Sequence, residues 1–136
     1  MADPDIRARA RPLSPHLQIY RWQAQMASSI LHRATGMLLS IGALALVWAL
    51  LALAGGEQRW QAFTACLAAP LGRLLMVGFT WALAYHLING VRHLLQDGGM
   101  GFAIPDFVRS SWISIIGSVV LTAIGWAFVL SHWGQV

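Results

Sequence analysis

Residues 34–56 read ATGMLLSIGALALVWALLALAGG, and none of their side chains is ionisable. As a helix these 23 residues extend about 34 Å, longer than the roughly 30 Å hydrocarbon core of a bilayer. Two further stretches have the same character. One runs from Leu74 to Val91, with Arg73 and Arg92 at its ends, where their methylene stems let the charges reach the polar interface. The other lies within residues 110–136 and ends with His132 and Trp133. The pattern predicts an all-α integral membrane protein, a helical bundle forming a single domain. It has an N-terminal segment at 1–27 and transmembrane helices at about 28–55, 68–95 and 110–133.

The rest of the composition agrees. The chain is 57% hydrophobic and 10% charged, against about 25% charged in ordinary soluble domains. All nine basic residues are Arg, and Arg7, Arg9, Arg11 and Arg21 lie near the start. Basic residues beside apolar spans suit anionic membrane lipid and topology rather than nucleic acid, since no basic groove with interleaved aromatics is present. The arginine bias puts the N-terminus and the loop near residue 100 on the cytoplasmic (or matrix) side, and the C-terminus outside. The first 25 residues are polar, contain Pro4, Pro12 and Pro15, and have no apolar run of the kind a signal peptide needs. Prolines at 12 and 15 keep the segment extended, and Tyr20 and Trp22 suit the membrane interface. The one cysteine, Cys66, excludes an intrachain disulfide and a thiolate metal cluster. Residues 60–72 are apolar but include Pro70, so they form either an interfacial segment or the outer turns of the second span. Gly98, Gly99, Gly101 and Pro105 form a loop after Asp97.

Two stretches carry groups capable of chemistry. Tyr85-His86-Leu87-Ile88-Asn89-Gly90-Val91-Arg92-His93 takes a histidine into the span and ends near Asp97. An ionisable group within a bilayer needs a partner or a function. His86, Gly90 and His93 share a helix face, so Gly90 could clear space for a flat macrocycle whose iron His86 ligates. The other reading is a hydrogen-bonded interior histidine, and spacing leaves both open. The second stretch, Ser29-Ile30-Leu31-His32-Arg33-Ala34-Thr35-Gly36, sets Ser29, His32, Arg33 and Gly36 on one face at the cytoplasmic end of the first span. A hydroxyl, an imidazole and a guanidinium there could bind a quinone headgroup or a haem propionate. Alternatively, Ser29 caps the helix while His32 and Arg33 anchor it to headgroups. Topology brings both clusters to one membrane face, so propionates could meet Arg33, His32 or Arg92. His93 lies nearer water and suits a propionate or the surface. Asp97 could pair with Arg33 or Arg92, or relay protons. Only His86 lies deep in a span, so a second axial ligand would come from another subunit. His16 and His132 read as peripheral. Trp48, Trp81 and Trp126 read as packing. Small residues mark packing faces at Gly36, Ser40 and Ala43 and at Gly117, Ser118 and Gly125.

Three motifs carry a resemblance: Arg11-Pro12-Leu13-Ser14-Pro15-His16-Leu17; Ser29-Ile30-Leu31-His32-Arg33-Ala34-Thr35-Gly36; and His86, Gly90-Val91-Arg92-His93-Leu94 and Asp97. Together they closely resemble the cytochrome b subunits of succinate dehydrogenase, respiratory complex II, over nearly the whole chain. Gln96, where the family usually has a bulky apolar residue, and Ala24 depart from the pattern. The resemblance implies an anchor in the bacterial inner or mitochondrial inner membrane. It would join a second membrane anchor subunit, an iron–sulfur subunit and a flavoprotein subunit, and would not be catalytic alone. It implies one haem b ligated by His86, its iron shared with the partner anchor. It also implies ubiquinone reduction at Ser29 and Arg33, with His32 and Arg33 near the propionates and Asp97 near the quinone. The alternatives are a fumarate reductase anchor, a haem-free structural anchor and, less in keeping with the histidine depths, a self-contained dihaem cytochrome.

Overall fold

A computed structural model describes residues 20–132. Expectations resting on Arg7, Arg9, Arg11, His16 and Trp133 fall outside them. The described residues form four helices: α1 (Ala24–Ala54), α2 (Glu57–Ala68), α3 (Pro70–Asp97) and α4 (Ile104–His132). Helices α1, α3 and α4 have 31, 28 and 29 residues and are long and apolar enough to cross a membrane, each extending over 40 Å.

The boundaries have local causes. Gly56 adopts φ +92° to turn the chain between α1 and α2, a conformation that a Cβ would strain. Pro70 occupies the first turn of α3, where its missing N–H costs nothing. Residues 57–68 are thus a separate short helix, not the outer turns of the second span. Helix α4 starts six residues earlier than 110, because Pro105 sits in its first turn instead of in the loop. Helix α1 starts at Ala24 with Gln23 as N-cap, so Ser29 stands inside the helix and does not cap it.

The interior is polar and the exterior apolar. Fully buried side chains include Ser28, Thr35, Tyr85, Asn89, Ser111, Ser114 and Ser118, whereas Leu44, Leu74, Leu94 and Ile104 are exposed. This arrangement suits lipid as solvent: small residues allow close packing and polar groups bond between helices. Helix α3 is central. Its Phe79 meets Gly42 of α1, while its Thr80 accepts a 2.8 Å hydrogen bond from Trp126 Nε1 of α4. Ser111, Ser114 and Ser118 form the buried small face of α4. Of the predicted small faces, Ser118 is buried and Gly117 meets Ile88, while Ser40 and Ala43 are exposed and Gly125 faces open space. Trp48 is half-exposed and packs edge-on against Phe63 of α2, 4.9 Å between ring centroids. Cys66 is free and exposed.

Candidate functional site

Helices α1 and α3 run antiparallel, since Ser28 pairs with Asn89, Thr35 with His86 and Gly42 with Phe79. The two sequence clusters therefore meet at one end of the bundle. Helix α4 pairs Ser110 with Arg92 and Trp126 with Thr80, which leaves His132 at the opposite end.

Three histidines form a column there. The rings of His32 and His86 stack with centroids 4.0 Å apart and planes 10° from parallel. His93 lies on the other side of His32, at 4.9 Å. His32 thus sits between the two α3 histidines. Gly36 allows the approach: a Cβ there would lie 3.1 Å from His86 Cε1. Gly90 instead faces His32, where a Cβ would come to 3.9 Å. Gly36 thus lets His86 seat against α1, while Gly90 borders His32 at ordinary contact distance.

The bonds of His86 fix its tautomer. Its Nδ1 lies 3.2 Å from the His32 carbonyl and 3.3 Å from Thr35 Oγ1. The Thr35 hydroxyl already donates to the carbonyls of Leu31 and His32, at 2.8 and 3.0 Å. The His32 carbonyl can only accept, so Nδ1 donates to it, which in the neutral ring puts the lone pair on Nε2. A carbonyl behind Nδ1 is also the usual support of a metal-ligating imidazole. Among the described residues no group of three His, Cys, Asp or Glu side chains could hold a metal ion. A metal at His86 must bring its other ligands, as an iron macrocycle does. His32 is not a second ligand to the same iron, because parallel rings 4.0 Å apart leave no space for a metal between their nitrogens.

The remaining site residues divide by direction. His32 Nδ1 is buried and lacks a hydrogen-bond partner among the described residues. Arg33 is exposed, and Ser29 is partly exposed one turn before it. Most helical hydroxyls bond back to a carbonyl three or four residues earlier, as those of Ser40, Ser111, Ser114 and Thr122 do. The Ser29 hydroxyl makes no such bond among the described residues and remains available. Asp97 is exposed at the end of α3. Arg92 points elsewhere. At about 100° per residue it is about 120° around α3 from His86. It is 7% exposed, its Nε donates to Ser110 Oγ at 2.9 Å, and its guanidinium lies 4.4 Å over the Phe107 ring.

Sequence reasoning missed the buried set beside this column. Tyr85 donates to the Ser28 carbonyl at 2.9 Å, Ser28 Oγ donates to Asn89 Oδ1 at 2.9 Å, and Arg92 Nη1 donates to the same oxygen at 3.3 Å. The available signal was the spacing of Tyr85, Asn89 and Arg92, a polar stripe on an otherwise apolar helix.

Three membrane-length helices with a histidine cluster at one end define a polytopic membrane protein. Residues 7–125 match the model of the succinate dehydrogenase/fumarate reductase transmembrane subunits. The chain is 38% identical over 120 residues to the succinate dehydrogenase cytochrome b556 subunit of Paracoccus denitrificans, covering 88% of this chain and 92% of that one. It is 40% identical over 119 residues to the mitochondrial cytochrome b560 subunit of Sus scrofa, covering 86% and 70%. The corresponding subunit of Rickettsia prowazekii is 37% identical over 116 residues, covering 85% and 90%. The chain belongs to the succinate dehydrogenase/fumarate reductase transmembrane subunit family.

Proposed function

We propose that this chain is the haem b-binding anchor of a succinate:quinone oxidoreductase. The observation that carries the reading is the hold on His86, whose Nδ1 is bonded to the His32 carbonyl and whose ring is seated against Gly36, so that the neutral ring would offer Nε2 to iron. His86 would ligate the haem iron and a second membrane anchor subunit would supply the other ligand, which agrees with the lack of a second suitably directed imidazole among the described residues. The haem supplies one-electron transfer when bound.

Each group in this chain has its own task. The His32 carbonyl and Thr35 orient the His86 ring. The unpartnered Nδ1 of His32, together with Arg33 and His93, suits propionate oxygens at the polar end of the column. Ser29 offers its hydroxyl to a ubiquinone oxygen, and Arg33 favours charge on the reduced ring. Asp97 is placed on the same end to exchange protons with solvent. Arg92 supports the site from behind instead of touching a propionate. The iron–sulfur subunit docks on this cytoplasmic or matrix face, and the flavoprotein oxidises succinate beyond it. The names of the relatives favour succinate oxidation over fumarate reduction.

A reduced-minus-oxidised optical spectrum of the complex purified through this chain tests the reading. A b-type band that disappears in His86→Ala is expected. An unchanged band in that variant would remove the ligand assignment.

A further inference from the structure

We infer that Asn89 is a positioning residue for the quinone site, because it sets the rotation of α1 that presents Ser29 and Arg33. The inference rests on the proposed quinone role of those two residues. Ser28, Tyr85 and Asn89 are each 0% exposed. Ser28 is held twice from α3: its carbonyl and Oγ accept from the Tyr85 hydroxyl at 2.9 and 3.1 Å, and its own hydroxyl donates to Asn89 Oδ1. Arg92 fixes the orientation of the Asn89 amide, because Nη1 can only donate and so requires Oδ1 on its side. The Nε of the same guanidinium donates to Ser110. One amide oxygen thus connects α1 to α3 and, through Arg92, to α4.

The consequence for Ser29 follows from helix geometry. Ser28 and His32 form the stripe of α1 that faces α3, and Ser29 and Arg33 form the adjacent stripe, about 100° around the axis. Fixing Ser28 fixes the direction in which Ser29 points. Apolar packing is poor at this task, since similar side chains slide past one another, whereas hydrogen bonds specify direction. Asn89 is also imperfectly satisfied: its Nδ2 and Arg92 Nη2 are buried without partners among the described residues. The oxygen is therefore the working end of the amide. A carboxylate keeps that acceptor and removes the unpaired Nδ2 donor, and its charge faces the guanidinium.

The test compares Asn89→Leu, Asn89→Asp and Ser28→Ala in the purified complex, with Ser29→Ala and Arg33→Ala alongside. Each is assayed for quinone KM, succinate-to-dye rate and haem band. Loss of these bonds should raise the quinone KM about tenfold in Asn89→Leu and about threefold in Ser28→Ala. Dye rate should stay at the parental value, and Asn89→Asp should remain within about twofold of the parental KM. Parental KM in both Asn89→Leu and Ser28→Ala would overturn the inference. Equal impairment of Asn89→Asp and Asn89→Leu would also overturn it, as would a parallel loss in dye rate. If Asn89→Leu does not assemble, Ser28→Ala decides, since it removes one bond while the Ser28 carbonyl still accepts from Tyr85. If Ser29→Ala and Arg33→Ala leave quinone KM unchanged, the quinone reading itself falls, whatever Asn89 does.

Discussion

Substitution of Gly36 tests whether the α1 backbone forms the back wall of His86, the proposed haem ligand. A Cβ at this position would lie 3.1 Å from His86 Cε1 and 3.7 Å from Nδ1, whereas ordinary contact begins at 3.4 Å. In Gly36→Ala the imidazole must retreat by about 0.3 Å or more. Both acceptors of its Nδ1–H belong to α1, at 3.2 and 3.3 Å, already at the long end of the usual range. Retreat from α1 lengthens both bonds to about 3.5 Å or beyond, which forfeits much of two bonds worth about 1 kcal/mol each. A loss of about 1–2 kcal/mol corresponds to a roughly five- to thirtyfold weaker hold on haem. Gly36→Val adds two methyl groups to the same contact and should empty most of the site. The direction of a second effect also follows. A backbone acceptor behind Nδ1 makes the imidazole a stronger donor, so weakening that bond disfavours the oxidised iron and raises the midpoint potential. The assays are haem per flavin by pyridine haemochromogen and a redox titration of the b band in the purified complex. Full haem occupancy at an unaltered potential in Gly36→Val would refute the reasoning.

Other substitutions separate the parts of the bundle. Thr35→Val keeps shape but removes one of two acceptors at His86 Nδ1. Haem should be retained, with a rise in potential smaller than that of Gly36→Ala in the same titration. Gly42→Ala places a methyl group into the Phe79 ring, farther along the α1–α3 interface. Repacking should cost about 1–3 kcal/mol, read as a lower thermal midpoint of the complex with an unshifted b band.

Much of the fold was legible because length and hydropathy suffice for a span. The 23 uncharged residues at 34–56 leave few options in water. The two clusters were legible for a similar reason, since a polar stripe on a membrane helix is conspicuous and topology brings its ends together. What escaped was decided by neighbours. The close approach of His86 to Gly36 was not foreseen, because Gly36 stands on the opposing helix and no intrahelical spacing reports that. Arg92 resembled a propionate ligand by its place near the interface. Its direction about 120° from His86 makes it a clamp to Ser110 and Asn89. Ser28 was passed over for Ser29 because adjacent serines look equivalent in sequence, although one is buried and the other is not.

That pair of serines would let one helix serve the two proposed ligands. Residues at i and i+4 share a face, while consecutive residues diverge by about 100°. Ser28 and His32 turn inward to Asn89 and His86, and Ser29 and Arg33 occupy the adjoining face with Arg33 exposed. The inward stripe has its hydrogen bonds largely met within the chain, apart from His32 Nδ1. The outward stripe keeps a hydroxyl and a guanidinium without such bonds among the described residues. Groups that must exchange a substrate during turnover cannot be consumed by structural bonds, and groups that must hold a resident cofactor rigid should be. The division between the two stripes follows that requirement, and a rotation of α1 by a fraction of a turn would abolish it. The bonds that resist such rotation converge on Ser28, the residue immediately before Ser29, whose hydroxyl is proposed to meet quinone.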